Sequence, residues 1–109
     1  MRIKGNPKIL LVSGDSYTRE ISFEGIEIEL IEGVYFSSEK LSICKKLEFD
    51  DDNNVYVLHL APNETENFAV GTTTFDLTIR FINGYIKTIQ YEAIITILEK
   101  SNKVVCYGW

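Results

Sequence analysis

The chain has few of the residues on which catalytic and metal centres depend. Its 109 residues include one histidine, His59, and two cysteines, Cys44 and Cys106. Two cysteines cannot form a zinc site alone and their spacing matches no redox motif, so we expect free thiols, with a disulfide as the alternative. His59 has no second histidine or adjacent nucleophile, which favours an exposed strand histidine over a general base. The sequence therefore predicts no enzyme activity, no cofactor and no metal.

Basic charge and long apolar runs are scarce as well. Lys and Arg number 11 against 16 Asp and Glu, which gives a formal net charge of -5 and a pI of about 4.8. Phosphate binding depends on clustered Lys and Arg, so this balance argues against nucleic acid as a partner. No apolar run approaches the roughly 20 residues of a membrane span, and the first residues lead into no apolar signal core. We expect synthesis in the cytoplasm and no membrane partner.

The length indicates one domain, because a chain of about 100 residues buries roughly two thirds of its unfolded surface. We predict a single domain over residues 1–109 with a tail at 100–109. The tail sequence KSNKVVCYGW contains Trp109 as its last residue. It is interpreted as a mobile tail or a self-docking segment, with a partner contact as the alternative.

Most of the chain alternates between apolar and polar residues, as β-strands with one buried face do. A short apolar run from Lys8 to Val12 ends at a Ser-Gly-Asp turn. From Ile26 to Leu30 the apolar residues alternate with two glutamates, which predicts a strand with one solvent-exposed face. Gly33 then indicates a bulge or a new strand. Residues 41–49 share a further predicted inner face that includes Phe49, and Lys45 is expected either to snorkel to solvent or to lie near a sheet edge.

The acidic clusters are interpreted as solvated surface. Residues 50–54, DDDNN, predict a hairpin turn, and the alternative of a calcium loop lacks the alternate ligand spacing and the distal acid. The carboxylate pairs Glu27/Glu29 and Glu64/Glu66 would need a sheltered site for acid–base catalysis, and we expect them on solvated faces instead.

The segment from Ala69 to Ile97 predicts one long β-hairpin. Its dipeptide Asn83-Gly84 is a strong signal for a two-residue type I′ turn. The preceding strand ends before Pro62, and a helical turn is expected near 63–68, with Phe68 and Val70 folded back as a plug and Gly71 restarting the strand. The inner face of the hairpin is expected to form the centre of the core. It comprises Phe75, Leu77, Ile79 and Phe81, followed by Ile89, Tyr91, Ala93, Ile95 and Ile97.

These segments together predict an all-β fold. We expect a two-sheet antiparallel sandwich of immunoglobulin-like type, with about seven strands and one short helical turn. A small barrel is the alternative.

The order of motifs in LHLAPNETENFAVGTTTFDLTIRFINGYIKT resembles the immunoglobulin-like N-terminal domain of upper baseplate proteins from phages of Gram-positive bacteria. In that family a Leu-x-Pro step leads through an acidic helical turn with a Thr and an apolar-Gly step into an aromatic strand, a glycine turn and a return strand. The matching positions are Leu60, Pro62, Glu64, Thr65, Phe68, Gly71, Phe75, Asp76, Leu77, Arg80, Gly84 and Thr88.

The resemblance spans most of the segment from Lys8 to Leu98 and is densest from Leu58 to Thr88. It implies a phage or prophage structural protein that binds other tail or baseplate proteins. Self-association is a further possible contact. The expected location is the host cytoplasm during assembly and then the virion. The family's Gly in the return strand is replaced here by Tyr91-Glu92-Ala93.

The residues to which we assign a structural role in the turns and in the seam of the core are Leu60, Pro62, Thr65, Phe68, Gly71, Phe75, Leu77, Ile79, Phe81, Asn83, Gly84 and Thr88. A carbohydrate or cell-wall binding module is the alternative function. Its basis is the set of rings available for sugar stacking, Tyr35, Tyr56, Tyr85, Tyr91 and Tyr107.

Overall fold

A computed structural model describes residues 2–5 and 7–100 of the chain. The predictions for Cys106, Tyr107, Trp109 and the rest of the tail beyond Lys100 lie outside the described residues. So does the side chain of Tyr91.

The described chain is mostly β-structure with one turn of α-helix. The helix α1 covers Pro62–Thr65, within one residue of the predicted start, because Pro62 is pre-set for the first helical turn. A 3-10 turn at Ile28–Leu30 precedes the fifth strand. The strands are β1 (Arg2–Ile3), β2 (Ile9–Val12), β3 (Tyr17–Ile21), β4 (Phe23–Glu24), β5 (Ile31–Ser38), β6 (Ile43–Lys46), β7 (Glu48–Asp50), β8 (Val55–Leu60), β9 (Gly71–Phe81) and β10 (Ile86–Leu98).

The strands form two main sheets. The larger has the order β2-β10-β9-β5-β6 and the smaller has the order β3-β8-β7, while β1 and β4 form a separate pair. Within the described residues, all strand pairings are antiparallel except that of β2 with β10, which is parallel with Ile9 opposite Ile95 and Val12 opposite Leu98. The predicted antiparallel sandwich is therefore wrong for this pair. The chain also contains more strands than the seven predicted.

Buried side chains from both main sheets form one apolar core, as in a β-sandwich. The predicted core seam lies at its centre, where the rings of Phe36 and Phe75 are 5.1 Å apart. Burial of each large side chain contributes roughly 1.5–3 kcal/mol, so this seam is the main stabilising feature. The predicted seam residues that are buried are Leu60, Thr65, Phe68, Phe75, Leu77 and Ile79, and the predicted inner-face residues Ala93, Ile95 and Ile97 are buried as well.

The segment from Ile26 to Leu30 is not a strand, contrary to the sequence prediction. Glu27 is extended, but the next three residues form the 3-10 turn, closed by the Leu30 amide, which donates to the Glu27 carbonyl at 3.1 Å. The strand begins only at Ile31. A bulge then lies between Ile31 and Gly33, as one of the two interpretations of Gly33 predicted.

The long hairpin is present, but its turn differs from the predicted two-residue type I′ turn. A type I′ turn requires a positive φ at both central residues. Gly84 has φ 88°, but the φ of Asn83 is not positive. The Phe81 amide donates to the Tyr85 carbonyl and the Gly84 amide donates to the Phe81 carbonyl. The loop is therefore three residues long, and the side-chain oxygen of Asn83 stabilises it by accepting from the Tyr85 amide at 2.9 Å.

Two further details of the predicted core are wrong. Phe68 is buried as expected, but Val70 is exposed and does not plug the core. The return strand β10 contains irregularities between Thr88 and Ala93, where Glu92 has φ 52°, and Ile89 is only half-buried there. Bulges of this kind shift one strand against its neighbour and interrupt the regular inner face.

Candidate functional site

The residues singled out from the sequence form a structural seam and not a single binding site. Six of the twelve are buried, as described above, and Gly71 at the start of β9 is exposed. Pro62, Asn83, Gly84 and Thr88 are exposed, and Phe81 is partly buried. Thr88 lies on the outer face opposite Thr78, with 3.4 Å between the two hydroxyl oxygens.

Thr65 joins α1 to the turn between β2 and β3. Its fully buried hydroxyl donates to the Asp15 carbonyl at 2.8 Å and accepts from the Gly14 amide at 3.1 Å. A buried polar group needs such partners, because leaving it without them costs about 1–3 kcal/mol. The two bonds therefore fix the helical turn against a loop 50 residues earlier in the chain.

Glu64 also has a structural role, in the same helical turn as Thr65. One of its oxygens, Oε1, accepts from the Ala61 amide at 2.8 Å and forms an ion pair with Lys45 on the edge strand β6. The Ala61 amide and then the Lys45 ammonium lower the pKa of this carboxyl group. Lys45 thus lies on an edge strand, as one of its two interpretations predicted.

An apolar patch covers the tip of the long hairpin. Ile82, Tyr85 and Ile86 are 66%, 60% and 62% exposed, and Leu30 beside them is 45% exposed. The Ile82 amide donates to the Leu30 carbonyl at 3.0 Å, which joins the hairpin tip to the 3-10 turn. We call these four residues the tip patch. Clustered exposed apolar residues of this kind mark interaction surfaces more often than single ones do.

An open groove of about 850 Å³ lies on the other side of the 3-10 turn. It is lined by the chain before β5 and the first two residues of β5, by the crossing from β6 to β7, and by the start of β8. The rings of Phe49 and Tyr56 lie 4.9 Å apart, and Phe49 remains 37% exposed although the sequence predicted it on an inner face. The apolar lining of the groove consists of Ile26, Ile28, Ile31, Leu47, Phe49 and Tyr56.

The charged lining of the groove is mainly acidic. It consists of Glu27, Glu29, Glu32 and Lys46. Glu32 forms an ion pair with Arg80 at 2.7 Å, whereas no ion pair joins Glu27 or Glu29 to any residue within 2–5 or 7–100. These two carboxylates were predicted to project from a strand face, and they flank the start of a 3-10 turn instead.

The lining of the groove is firmly held on one side. Tyr56 is buried, and burial raises the pKa of its phenol group. Its ring also lies 6.0 Å from that of Phe23. Tyr56 is therefore part of the core packing, and the exposed ring of Phe49 lies against it.

The acidic run after β7 is a hairpin turn, as predicted. Asp50 Oδ1 accepts from the amides of Asp52 and Asn53, and Asp50 Oδ2 accepts from the Asn53 side chain at 2.8 Å. The bond from the Asn53 side chain is the main reason that the pKa of Asp50 is lowered. Among the described residues, no group of three or more His, Cys, Asp or Glu side chains is arranged to hold a metal ion.

The other candidate residues are scattered. His59 is exposed on β8, where Nδ1 lies 2.9 Å from the Thr18 hydroxyl, and Cys44 is exposed on β6. Of the tyrosines proposed for sugar stacking, Tyr56 is buried and Tyr35 is half-buried, so Tyr85 is the exposed ring among the three described side chains.

No protein-family model matches this chain, and no curated protein sequence is significantly similar to it. Within the described residues, no helix has the length and apolar character needed to cross a membrane.

The tip patch and the groove were not predicted from the sequence. A signal for the tip patch was present, because Ile82, Tyr85 and Ile86 surround a turn in which apolar residues have no core to face. The groove had no comparable signal, since its lining comes from three separate segments.

Proposed function

We propose that this chain is a non-enzymatic structural protein of a phage or prophage, a tail or baseplate docking module that binds other proteins. The observation that carries the docking part of the proposal is the tip patch, and the phage assignment rests on the resemblance of the segment from Leu58 to Thr88. Three large apolar residues at the end of the longest hairpin and Leu30 beside it are each exposed, and loss of water from them on docking would contribute to binding.

An immunoglobulin-like arrangement of the strands is part of the proposal. The order β10-β9-β5-β6 in one sheet and β3-β8-β7 in the other corresponds to the order G-F-C-C′ and B-E-D of variable-type immunoglobulin domains. Under this correspondence the tip patch lies on the F–G hairpin, and the 3-10 turn lies in the B–C connection. Both belong to one end of the sandwich, where variable domains carry their binding loops.

The test is the composition of assembled particles. Particles released after induction of a lysogen that carries this gene are expected to contain the chain, as detected by mass spectrometry. The variant Ile82→Ser/Ile86→Thr is expected to fold but to be reduced in the particles at least tenfold. A matched control, Leu10→Ser/Val70→Thr, removes two apolar side chains that are similarly exposed elsewhere. Absence of the wild-type chain from purified particles would refute the proposal.

A further inference from the structure

We propose that the groove beside the 3-10 turn binds a cationic segment of the partner protein. Basic side chains of that segment would lie at Glu27 and Glu29, and an apolar side chain between them would contact Phe49 and Tyr56. The inference rests on the proposed docking function, because it assigns a partner chemistry to a surface next to the tip patch. The new element of the inference is the chemistry of the segment that binds in the groove, which the tip patch does not specify.

The apolar part of the argument is the partly open aromatic pair. Phe49 contacts Tyr56, yet more than a third of its side chain remains exposed at the groove. An exposed aromatic ring held by a buried one loses little conformational freedom on binding, which is typical of anchor positions in interfaces. The ring faces also attract cations, so arginine and lysine side chains suit the same surface.

The electrostatic part of the argument is the balance of charge. Glu32 is already engaged by Arg80. A Cβ atom at Gly33 would come within 2.9 Å of Lys46 Cε, so the Lys46 stem lies along Gly33 beside the groove. Glu27 and Glu29 are the lining carboxylates without an ion pair among residues 2–5 and 7–100. A cationic partner would complement them, and its approach would be accelerated by the net charge of -5.

Two other occupants are less consistent with the groove. Small-molecule sites are mostly apolar and enclose the ligand, whereas this groove is open and carries three carboxylates. A second copy of this chain would bring another net charge of -5 to an acidic surface, which repels like charge.

The experiment uses the full chain and two capped hexapeptides, one of alternating arginine and leucine and one of alternating glutamate and leucine. Binding is followed by the backbone amide resonances in heteronuclear NMR. We expect the arginine peptide to shift amides of Glu27, Glu29 and Phe49, with an affinity that falls as salt is raised from about 50 to about 500 mM. The glutamate peptide is expected to cause no shift.

Matched variants separate the groove from the overall negative charge. Glu27→Gln/Glu29→Gln is expected to weaken binding of the arginine peptide about tenfold. The control Glu20→Gln/Glu48→Gln removes the same amount of charge from two residues that pair with Val57, on the face of the small sheet opposite to Phe49 and Tyr56. It is expected to change the affinity less than twofold.

Three results would overturn the inference: equal weakening by both variants, shifts that lie away from the groove, or dimers whose interface covers the groove. Each would leave the proposed docking function standing if the chain is present in particles. Conversely, if the chain is absent from particles but the arginine peptide binds in the groove, the phage assignment is refuted and the inference about the groove stands.

Discussion

The hydroxyl group of Thr65 is predicted to be one of the most important polar groups for stability. Thr65→Val keeps the shape of the side chain and removes the oxygen that bonds Gly14 and Asp15. Each neutral hydrogen bond contributes about 1 kcal/mol, and the Gly14 amide would be left without its partner, so we expect a loss of about 2 kcal/mol in the free energy of unfolding. Part of this loss is offset by the more apolar valine.

The assay is equilibrium unfolding in urea, followed by far-ultraviolet circular dichroism. With a slope of about 1.5 kcal/mol per M, a loss of about 2 kcal/mol lowers the midpoint by about 1.3 M. The melting temperature is expected to fall by about 8 °C for a domain of this size. The slope itself is expected to stay constant, because the variant exposes the same surface on unfolding.

The control is Thr72→Val, the same chemical change on an exposed strand position. The Thr72 hydroxyl lies 3.1 Å from that of Thr96 on the outer face, where water can replace the lost partner. We expect a change within about 0.5 kcal/mol. The reasoning would be refuted if Thr65→Val cost less than about 0.5 kcal/mol or no more than this control.

Three further predictions concern the core, the acidic helical turn and the exposed thiol. Phe75→Ala is expected to lower the free energy of unfolding in urea by about 3–5 kcal/mol, because it leaves a cavity in the core. The control Val70→Ala is expected to change it by no more than about 0.5 kcal/mol, because Val70 is exposed. Similar losses in the two variants would contradict the burial pattern. The lowered pKa of Glu64 means that its carboxylate stabilises the fold above its ordinary pKa of 4.5 and that this contribution is lost as the pH falls through the lower native value. Glu64→Gln is therefore expected to destabilise the fold more at neutral pH than at about pH 3, and a difference that is constant with pH would contradict this. In a Cys106→Ser variant, Cys44 is expected to react fully with a thiol reagent without denaturant, since it is exposed, and protection from the reagent would contradict its position on β6.

The hairpin and the helical turn could be predicted because their signals are local. Alternating residues in β9 and the step from Pro62 to Thr65 specify their own backbone conformation, and tertiary packing agrees with it. The importance of the Thr65 hydroxyl became apparent only from the structure. Its partners lie in a turn 50 residues away, and sequence spacing does not show which loops meet in space.

The errors arose where local and tertiary preferences differ. The segment from Ile26 to Leu30 alternates like a strand, but the structure places it as the lining of an open groove, and its last residues curl into a 3-10 turn. At the hairpin tip, Asn83 accepts a bond from the Tyr85 amide and holds a three-residue loop, although Asn-Gly usually favours a shorter one. The groove itself could not be predicted, because its lining combines residues from Ile26 to Tyr56.

The parallel pairing of β2 with β10 determines how the domain would carry a mechanical load. Tension applied ahead of β2 and beyond β10 pulls these two strands in opposite directions along their own axes. The backbone bonds that join Ile9–Val12 to Ile95–Leu98 would then have to break together, and not one after another as in a zipper. A module joined to its neighbours through these two strands would resist stretching until the whole pair slides apart.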